Sequence, residues 1–396
     1  MAGRGRAWRS GVVALALLLV SLTGCGGPPK ADTARAEVQQ VLDRRATALL
    51  HHDATAYGES GTRTAYDNLH EVPLASWSYR LTALHRTGAT ATADAELSYR
   101  VRGYDKAPVT AARRLTLKLT ADGRWYVDSD RPAKKAGEQL WDQGAVTAVA
   151  GEHSLVMGVG QSGGTLRTYA RLADRAVPAV SRAWGTDWTR RVVVLVPGSL
   201  EQMAGLLGSP ASSYRGIAAV TTGEAGGSGT APADRVVVNP DAYALLGEVG
   251  KQLVLTHETT HVATRTHTNA ATPLWLSEGY ADWIGYLGTD RTPAQAAPEL
   301  ARAVRDGDVP DDLPADADFG FSGDAVRLAR AYEGGWLACR MIADRWDEAR
   351  LGEFYRAVGT HPKRAGAVED ALRKVLGTTQ EAFTEQWRDY LRDQLG

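Results

Sequence analysis

Two histidines and a glutamate lie at a spacing that can hold and use a metal ion. His257, Glu258 and His261 form the pattern H-E-x-x-H, in which the histidines bind zinc and the glutamate acts on zinc-activated water. Residues four apart share one face of an α-helix, so both imidazoles can reach the same ion. Glu258 lies about 100° further round the helix, beside the ion, where a general base is needed. The pattern predicts a zinc site that still requires a third ligand.

A second motif downstream offers that ligand. Residues 274–283 read L-W-L-S-E-G-Y-A-D-W, which resembles the W-L-x-E-G segment of the gluzincin metallopeptidases, the clan of thermolysin and aminopeptidase N. The resemblance implies that Glu278 is the third zinc ligand. Asp282 follows one helical turn later, where a carboxylate can accept the second N–H of a zinc-bound histidine, for which we expect His257. The alternative for Asp282 is a solvated helix position.

His267 is a rival third ligand. It follows His257 by ten positions, the offset of the third histidine in the metzincin pattern H-E-x-x-H-x-x-G-x-x-H. That pattern needs glycine at the seventh offset, because the helix breaks there in a conformation that β-branched residues resist. This chain has Thr264 at that offset. We therefore expect His267 to be a loop residue that does not bind the ion.

A third motif offers a group that could stabilise a transition state. Residues 331–337 read A-Y-E-G-G-W-L, and aminopeptidase-N-type enzymes carry Y-E-x-G at a comparable place. The resemblance implies that the hydroxyl of Tyr332 stabilises the oxyanion opposite the zinc. The alternative is a tyrosine that only packs beneath the zinc helices. The motif G-x-M-E-N, which grips a substrate's free amino terminus in aminopeptidases, does not occur in the sequence, so we expect an endopeptidase.

The first 25 residues predict export and a lipid anchor. Three arginines precede an apolar run, 12–20, which is too short to span a bilayer and is typical of a secretory signal. The sequence L-T-G-C that ends at Cys25 resembles the bacterial lipobox and implies acylation of this cysteine; the alternative is an ordinary signal peptide cleaved nearby. Residues 26–32 would form a tether. We expect a bacterial lipoprotein on the extracytoplasmic face of the cell membrane.

Length and composition limit the classes of function. The chain has 396 residues, 44% of them hydrophobic, which is enough for two domains with cores of their own. Its net charge is −1, with acidic and basic residues interspersed, so we expect no nucleic-acid partner. After lipidation of Cys25 the other cysteine, Cys339, has no intramolecular partner, and we expect a small buried side chain.

Residue periodicity predicts an α+β protein with two units. Residues 33–131 predict helices followed by four strands, at 76–83, 89–101, 113–120 and 125–128. This order resembles the ketosteroid-isomerase-like cone fold. Since no convergent catalytic residues accompany it, we expect a spacer or recognition domain. The boundary is predicted at 131–137.

The remaining residues, 138–396, predict a mixed β-sheet lobe, a zinc helix and a helical C-terminal lobe, the order of the gluzincin clan. We expect strands at 146–150, 154–158, 191–196, 216–221 and 235–238, and a helix at 166–184 interrupted by Pro178. A glycine-rich run, 223–229, separates the last two strands. The edge strand of this sheet binds the substrate backbone in the clan, and we assign that edge to 235–238. The zinc helix is predicted at 247–264.

Together these patterns predict a surface-anchored zinc metallopeptidase that hydrolyses a peptide or protein substrate. Three protein ligands leave a fourth position for water, which is the arrangement of a catalytic zinc site. Two other classes stay open. One is a catalytically silent zinc-binding surface module, although such a module would not need Glu258. The other is a non-peptide hydrolase on the same scaffold, because the clan includes an epoxide hydrolase.

Overall fold

The computed structural model describes residues 30–223, 232–320 and 324–396. The predicted signal segment with Cys25, most of the predicted tether and nearly all of the glycine-rich run at 223–229 lie outside these ranges. Within them, no helix combines the length and the apolar character that crossing a membrane requires.

The amino-terminal unit packs three helices against an antiparallel sheet. The helices are α1 (Lys30–Leu50), α2 (Ala54–Ser60) and α3 (Thr64–Leu69), and the strands are β1 (Leu74–Thr87), β2 (Thr90–Val101), β3 (Val109–Leu119) and β4 (Trp125–Pro132). The strands lie in sequence order in the sheet, and burial alternates along β2 as expected for a strand with one face in a core. Helices followed by strands is the predicted order. Helix α1 begins earlier than predicted, within the segment assigned to the tether.

The two units share one hydrophobic cluster. Trp141, in a 3-10 turn at Leu140–Asp142, places its ring 5.3 Å from that of Trp77 and 5.0 Å from that of Tyr99, measured between centroids. The same cluster continues into Leu155 and Met157 of the second unit. The predicted boundary at 131–137 is thus followed at once by residues that are buried in the core of the amino-terminal unit.

The second unit contains a five-stranded mixed sheet. Its strands are β5 (Val146–Ala150), β6 (Ser154–Val159), β7 (Val192–Val196), β8 (Ala219–Thr222) and β9 (Arg235–Val238), in the order β5-β6-β7-β9-β8. Strands β6, β7 and β9 run parallel, while β5 and β8 are antiparallel to their neighbours.

Strand β9 lies inside this sheet and β8 lies at its edge. The prediction that 235–238 forms the edge is therefore wrong. Three consecutive buried valines, at 236–238, are typical of a strand whose two faces are both covered, as in the interior of such a sheet. Strand β8 is short and ends in two threonines, which suits an edge.

Helix α4 (Gly163–Trp184) packs against this sheet and runs through Pro178 without the predicted interruption. A proline inside a helix costs about 3 kcal/mol because it removes a hydrogen bond and crowds the preceding turn. Val177 and Val180, on either side of Pro178, are buried. Their packing offsets the cost and keeps the helix continuous.

The remaining helices carry the predicted zinc site and the helical lobe. They are α5 (Leu200–Leu207), α6 (Pro240–Ala244), α7 (Glu248–Thr264), α8 (Leu274–Tyr286), α9 (Pro293–Ala296), α10 (Pro298–Arg305), α11 (Ala325–Trp346), α12 (Glu348–Gly359), α13 (Ala367–Ala371), which continues as a π-helical turn, Leu372–Leu376, and α14 (Gln380–Leu395). Cys339 is fully buried in the core of this lobe, as predicted.

Helices α8 and α11 cross at two glycines. A Cβ atom built on Gly279 would lie 2.2 Å from the carbonyl oxygen of Gly335, and a Cβ on Gly335 would lie 2.7 Å from the carbonyl oxygen of Trp275. Glycines of both motifs, E-G in α8 and E-G-G in α11, thus let the two backbones touch. This contact sets the separation of the helices that carry Glu278 and Tyr332.

The variant Gly279→Ala should lower the free energy of unfolding by about 3 kcal/mol, because the added methyl group forces the two helices apart. Chemical denaturation measures this change. The control is Gly250→Ala in the first turn of α7, where the nearest atoms belong to the Leu246 side chain at 3.4 Å or more. There alanine should be neutral or stabilise by up to about 1 kcal/mol. Equal losses in the two variants would contradict the close crossing.

Candidate metal centre

Helix α7 presents His257 and His261 to the same point. Their Nε2 atoms lie 3.0 Å apart, as the spacing of four residues predicts. On other faces of the helix, Leu255 is buried in the core beneath the sheet. The hydroxyls of Thr259 and Thr260 donate to main-chain carbonyls one turn earlier, at 2.6 and 2.8 Å. These bonds satisfy polar groups that would otherwise be buried without partners.

Helix α8 brings the carboxylate of Glu278 to the two histidines. Its Oε2 atom lies 3.2 Å from Nε2 of His257 and 3.4 Å from Nε2 of His261. One potential ligand atom from each of the three residues lies within 4.8 Å of the others. Two imidazole nitrogens and one carboxylate oxygen are a donor set that suits a zinc ion with one position left for water. The three residues therefore fit the predicted ion.

Charge in this cluster favours binding of a cation. Burial raises the pKa of Glu278, but the two histidines lower it more, so that the pKa lies well below its ordinary value. Burial lowers the pKa of His257, yet the carboxylates of Asp282 and Glu278 raise it well above the usual range. Both directions follow from the attraction between these carboxylates and the positive charge that faces them.

Asp282 orients one of the histidines. Nδ1–H of His257 donates to its carboxylate at 2.8 Å, and the Asp282 side chain is only 14% exposed, so it is not a solvated position. The bond leaves Nε2 of His257 free to act as a ligand.

Glu258 is held by a residue that the sequence did not reveal. Its side chain is buried, and the hydroxyl of Thr221 lies 2.5 Å from Oε2 and 3.1 Å from the main-chain oxygen of Glu258. Thr221 belongs to the edge strand β8. No local signal marks this threonine, because the position of β8 above α7 is a feature of tertiary structure.

Tyr332 lies on α11, close enough to the carboxylates of the site for their charges to affect its pKa. Burial raises the pKa of its hydroxyl, and the negative charges of Glu278, Asp282 and Glu258 raise it further. The hydroxyl is therefore protonated at all physiological pH values and can act only as a neutral group that donates or accepts a hydrogen bond. Its ring packs edge-on against Phe319, with centroids 5.2 Å apart.

The glutamate beside Tyr332 has a different partner. The carboxylate of Glu333 accepts the main-chain N–H groups of Glu299, at 3.2 Å, and Leu300, at 2.6 Å. These groups open helix α10, where a carboxylate satisfies free donors and interacts favourably with the helix dipole. The Y-E-G-G motif thus contains Tyr332 near the site, Glu333 as a cap of α10 and Gly335 at the crossing with α8.

His267 lies away from the cluster. Its ring packs against Trp184, with centroids 5.4 Å apart, and burial together with the charge of Arg356 lowers its pKa. Over the described residues, His257, His261 and Glu278 are the one group of three or more potential ligands that converges. This placement agrees with the expectation that His267 does not bind the ion.

Comparison with known proteins gives only distant similarity. No family model and no curated protein matches the chain. An M1 zinc metallopeptidase variant from Deinococcus radiodurans, bound to a Tyr-Ser-Ala substrate, is 13% identical over 80% of this chain and 93% of that chain, with a TM-score of 0.37. A two-domain M1 zinc metallopeptidase variant bound to L-arginine is 12% identical over 83% and 96%, with a TM-score of 0.38. Similarity at these TM-scores supports no assignment, and membership of the gluzincin clan stays a prediction.

The variant Asp282→Ala should weaken binding of Zn²⁺ by about 10- to 100-fold, because His257 loses the acceptor that fixes its ring and its tautomer. A competition titration against a chromogenic chelator measures the affinity. Asp306→Ala, which removes an exposed carboxylate after α10, is the control and should bind as the unsubstituted protein does. Unchanged affinity in Asp282→Ala would show that the carboxylate does not support the ligand.

Proposed function

We propose that this protein is a zinc metallopeptidase in which His257, His261 and Glu278 hold the ion. The observation that carries the proposal is the convergence of their ligand atoms within 4.8 Å, next to the buried carboxylate of Glu258. When bound, the zinc ion supplies Lewis acidity, which polarises a carbonyl group and makes water a nucleophile near neutral pH.

Glu258 is the group that moves the proton. Thr221 donates a hydrogen bond to Oε2 and so fixes the orientation of the carboxylate, while Oε1 remains to accept a proton from the attacking water. The same carboxyl group then delivers that proton to the amine that leaves. A carboxylate held by a neighbour on one oxygen needs little reorganisation during this transfer.

Tyr332 is the group that stabilises negative charge on the substrate. Burial and the nearby carboxylates keep its hydroxyl protonated, so it can donate a hydrogen bond to the carbonyl oxygen as that oxygen becomes an anion. Such a bond is stronger in the transition state than in the ground state and therefore accelerates the reaction.

The edge strand β8 is the surface on which we expect the substrate to lie. An edge strand has one row of main-chain groups that no neighbouring strand pairs with, and an extended peptide can add to it. Thr221 joins this strand directly to Glu258, so a peptide beside β8 would pass the general base. The lack of G-x-M-E-N in the sequence supports cleavage of internal bonds as part of the proposal.

Attachment to the extracytoplasmic face of the membrane is also part of the proposal. It rests on the sequence of the first 25 residues, in which a basic segment and a short apolar run precede the lipobox-like L-T-G-C. An acylated Cys25 would hold the described units outside the cell, where peptide and protein substrates are available.

The variant Glu258→Gln should retain Zn²⁺ and lose activity by at least about 1,000-fold, because an amide cannot accept the proton. Metal analysis and hydrolysis of casein and of amino-terminally blocked peptides, with chelator and after zinc is restored, measure both properties. Glu248→Gln, at an exposed position on the same helix, is the control and should remain active. Undiminished hydrolysis by Glu258→Gln would remove the assigned base. Zinc binding without hydrolysis of any peptide by the unsubstituted protein would favour the silent module.

The variant Tyr332→Phe should lower kcat by about 10- to 100-fold and change KM little, because the hydrogen bond is made chiefly in the transition state. Steady-state kinetics on a blocked peptide separate the two constants. The control is Tyr390→Phe, which removes a hydroxyl that donates to Asp344 in the helical lobe and should leave kcat unchanged. A Tyr332→Phe variant with full kcat would reduce this tyrosine to a packing role.

A further inference from the structure

Asp105 is a buried carboxylate of the amino-terminal unit that the second unit binds. It lies in the turn between β2 and β3, and its side chain is fully buried. Two guanidinium nitrogens of Arg235 donate to its two oxygens, at 2.9 and 2.8 Å. The main-chain N–H groups of Ala233 and Val101 donate to it as well, at 3.0 and 2.7 Å. Four donors fully satisfy this carboxylate and tie it to the start of β9.

The residue between Ala233 and Arg235 faces the opposite way. Asp234 accepts a hydrogen bond from Nε of Arg265 at 2.8 Å, and Arg265 directly follows the last residue of helix α7. Alternate residues of an extended segment point to opposite sides. The segment 233–235 is therefore held on one side by the amino-terminal unit and on the other by the end of the helix that carries the histidines.

Strand β8 takes its position from β9. Arg235 lies opposite Thr222 and Val236 lies opposite Thr221 in the antiparallel pair, and the N–H group of Arg235 also donates to the hydroxyl of Thr222 at 3.1 Å. Strand β8 has only four residues and one neighbouring strand. Whatever holds Arg235 in place therefore also fixes where Thr221 lies above Glu258.

The end of β8 touches the same segment. Gly223 follows the strand with a φ of +150°, and a Cβ atom built there would lie 1.9 Å from Oδ1 of Asp234. Only glycine allows the backbone to approach this carboxylate so closely. The end of the β8–β9 pair at which Arg235 lies is thus packed tightly.

We propose that Asp105 is a positioning residue for Glu258. Through Arg235 and the β8–β9 pair, the amino-terminal unit holds the hydroxyl of Thr221 at the carboxylate of the general base. The proposal rests on the proposed function for its catalytic consequence. It gives the amino-terminal unit a part in the reaction that a spacer or recognition domain would not have.

A purely structural role for Asp105 makes a different prediction. Removal of one partner from a buried ion pair leaves an unpaired charge and destabilises the protein in either case. Only a positioning role makes the catalytic effect of Asp105 depend on the Thr221 hydroxyl. A double-mutant cycle separates the two roles, because residues that act through one path do not give additive effects.

The experiment compares Asp105→Asn, Thr221→Val and the double variant, each loaded with zinc. Each single change should lower kcat about tenfold, since a small displacement of a catalytic group has effects of this size or greater. The kcat of the double variant should lie within about twofold of the kcat of the less active single variant. Thr221→Ser, which keeps the hydroxyl, should restore most of the kcat. Losses that multiply in the double variant would overturn the proposal.

Two further variants control for stability. Tyr79→Phe removes a buried hydroxyl that donates to Asp130 at 2.5 Å inside the amino-terminal unit, in a different sheet from the β8–β9 pair. It should lower the free energy of unfolding and leave kcat unchanged. Arg235→Lys keeps the positive charge but loses the two-point contact with Asp105. It should also lower kcat about tenfold, and it replaces Asp105→Asn in the comparison if that variant does not fold. Full kcat in Arg235→Lys would equally overturn the proposal.

Hydrogen exchange tests the anchoring without any need for hydrolysis. Asp105→Asn should speed exchange of the amide groups in β8 and β9 by about tenfold or more, while Thr221→Val should not, and helix α7 should stay protected in both. Unchanged exchange in β8 and β9 would overturn the proposal even in an active enzyme. If the unsubstituted protein hydrolyses no peptide, the proposed function fails, and the exchange rates still decide whether Asp105 holds the strand pair.

Discussion

The structure depends on the meeting of two imidazoles from α7 with one carboxylate from α8. A carboxylate in such partly buried surroundings is costly unless positive charge faces it. The lowered pKa of Glu278 and the raised pKa of His257 both reflect this attraction. The helices must therefore be held at a fixed separation. Packing beneath the sheet holds α7, and the glycine contact between Gly279 and Gly335 holds α8 against α11.

Residues from three different elements complete the site. Asp282 of α8 orients a histidine, and Thr221 of β8 holds Glu258. Burial and the carboxylates of the cluster raise the pKa of Tyr332 of α11. The shared hydrophobic cluster around Trp141 and the buried contact between Asp105 and Arg235 link the amino-terminal unit to this assembly. These contacts are the basis of our proposal that the amino-terminal unit takes part in the reaction.

The predictions that succeeded rest on local regularities. A spacing of four residues places His257 and His261 on one helical face, and the same spacing places Asp282 one turn beyond Glu278. Alternation and helical periodicity located most strands and helices. The errors concern the order of strands in the sheet and the course of α4 through Pro178. Neighbours distant in sequence decide both, because they bury β9 on both sides and pack the turn around the proline.

The sequence by itself determined the histidine pair and the α+β character of the chain, because both follow from regularities within a few residues. Glu278 was implied by a family resemblance, and Asp282 was placed by its spacing from Glu278. Tertiary structure alone decided that Thr221 reaches Glu258 across 37 positions, that Asp105 binds Arg235 across 130 and that His267 packs against Trp184. No period in a sequence encodes such contacts. They arise only when the buried faces of separate elements are packed together.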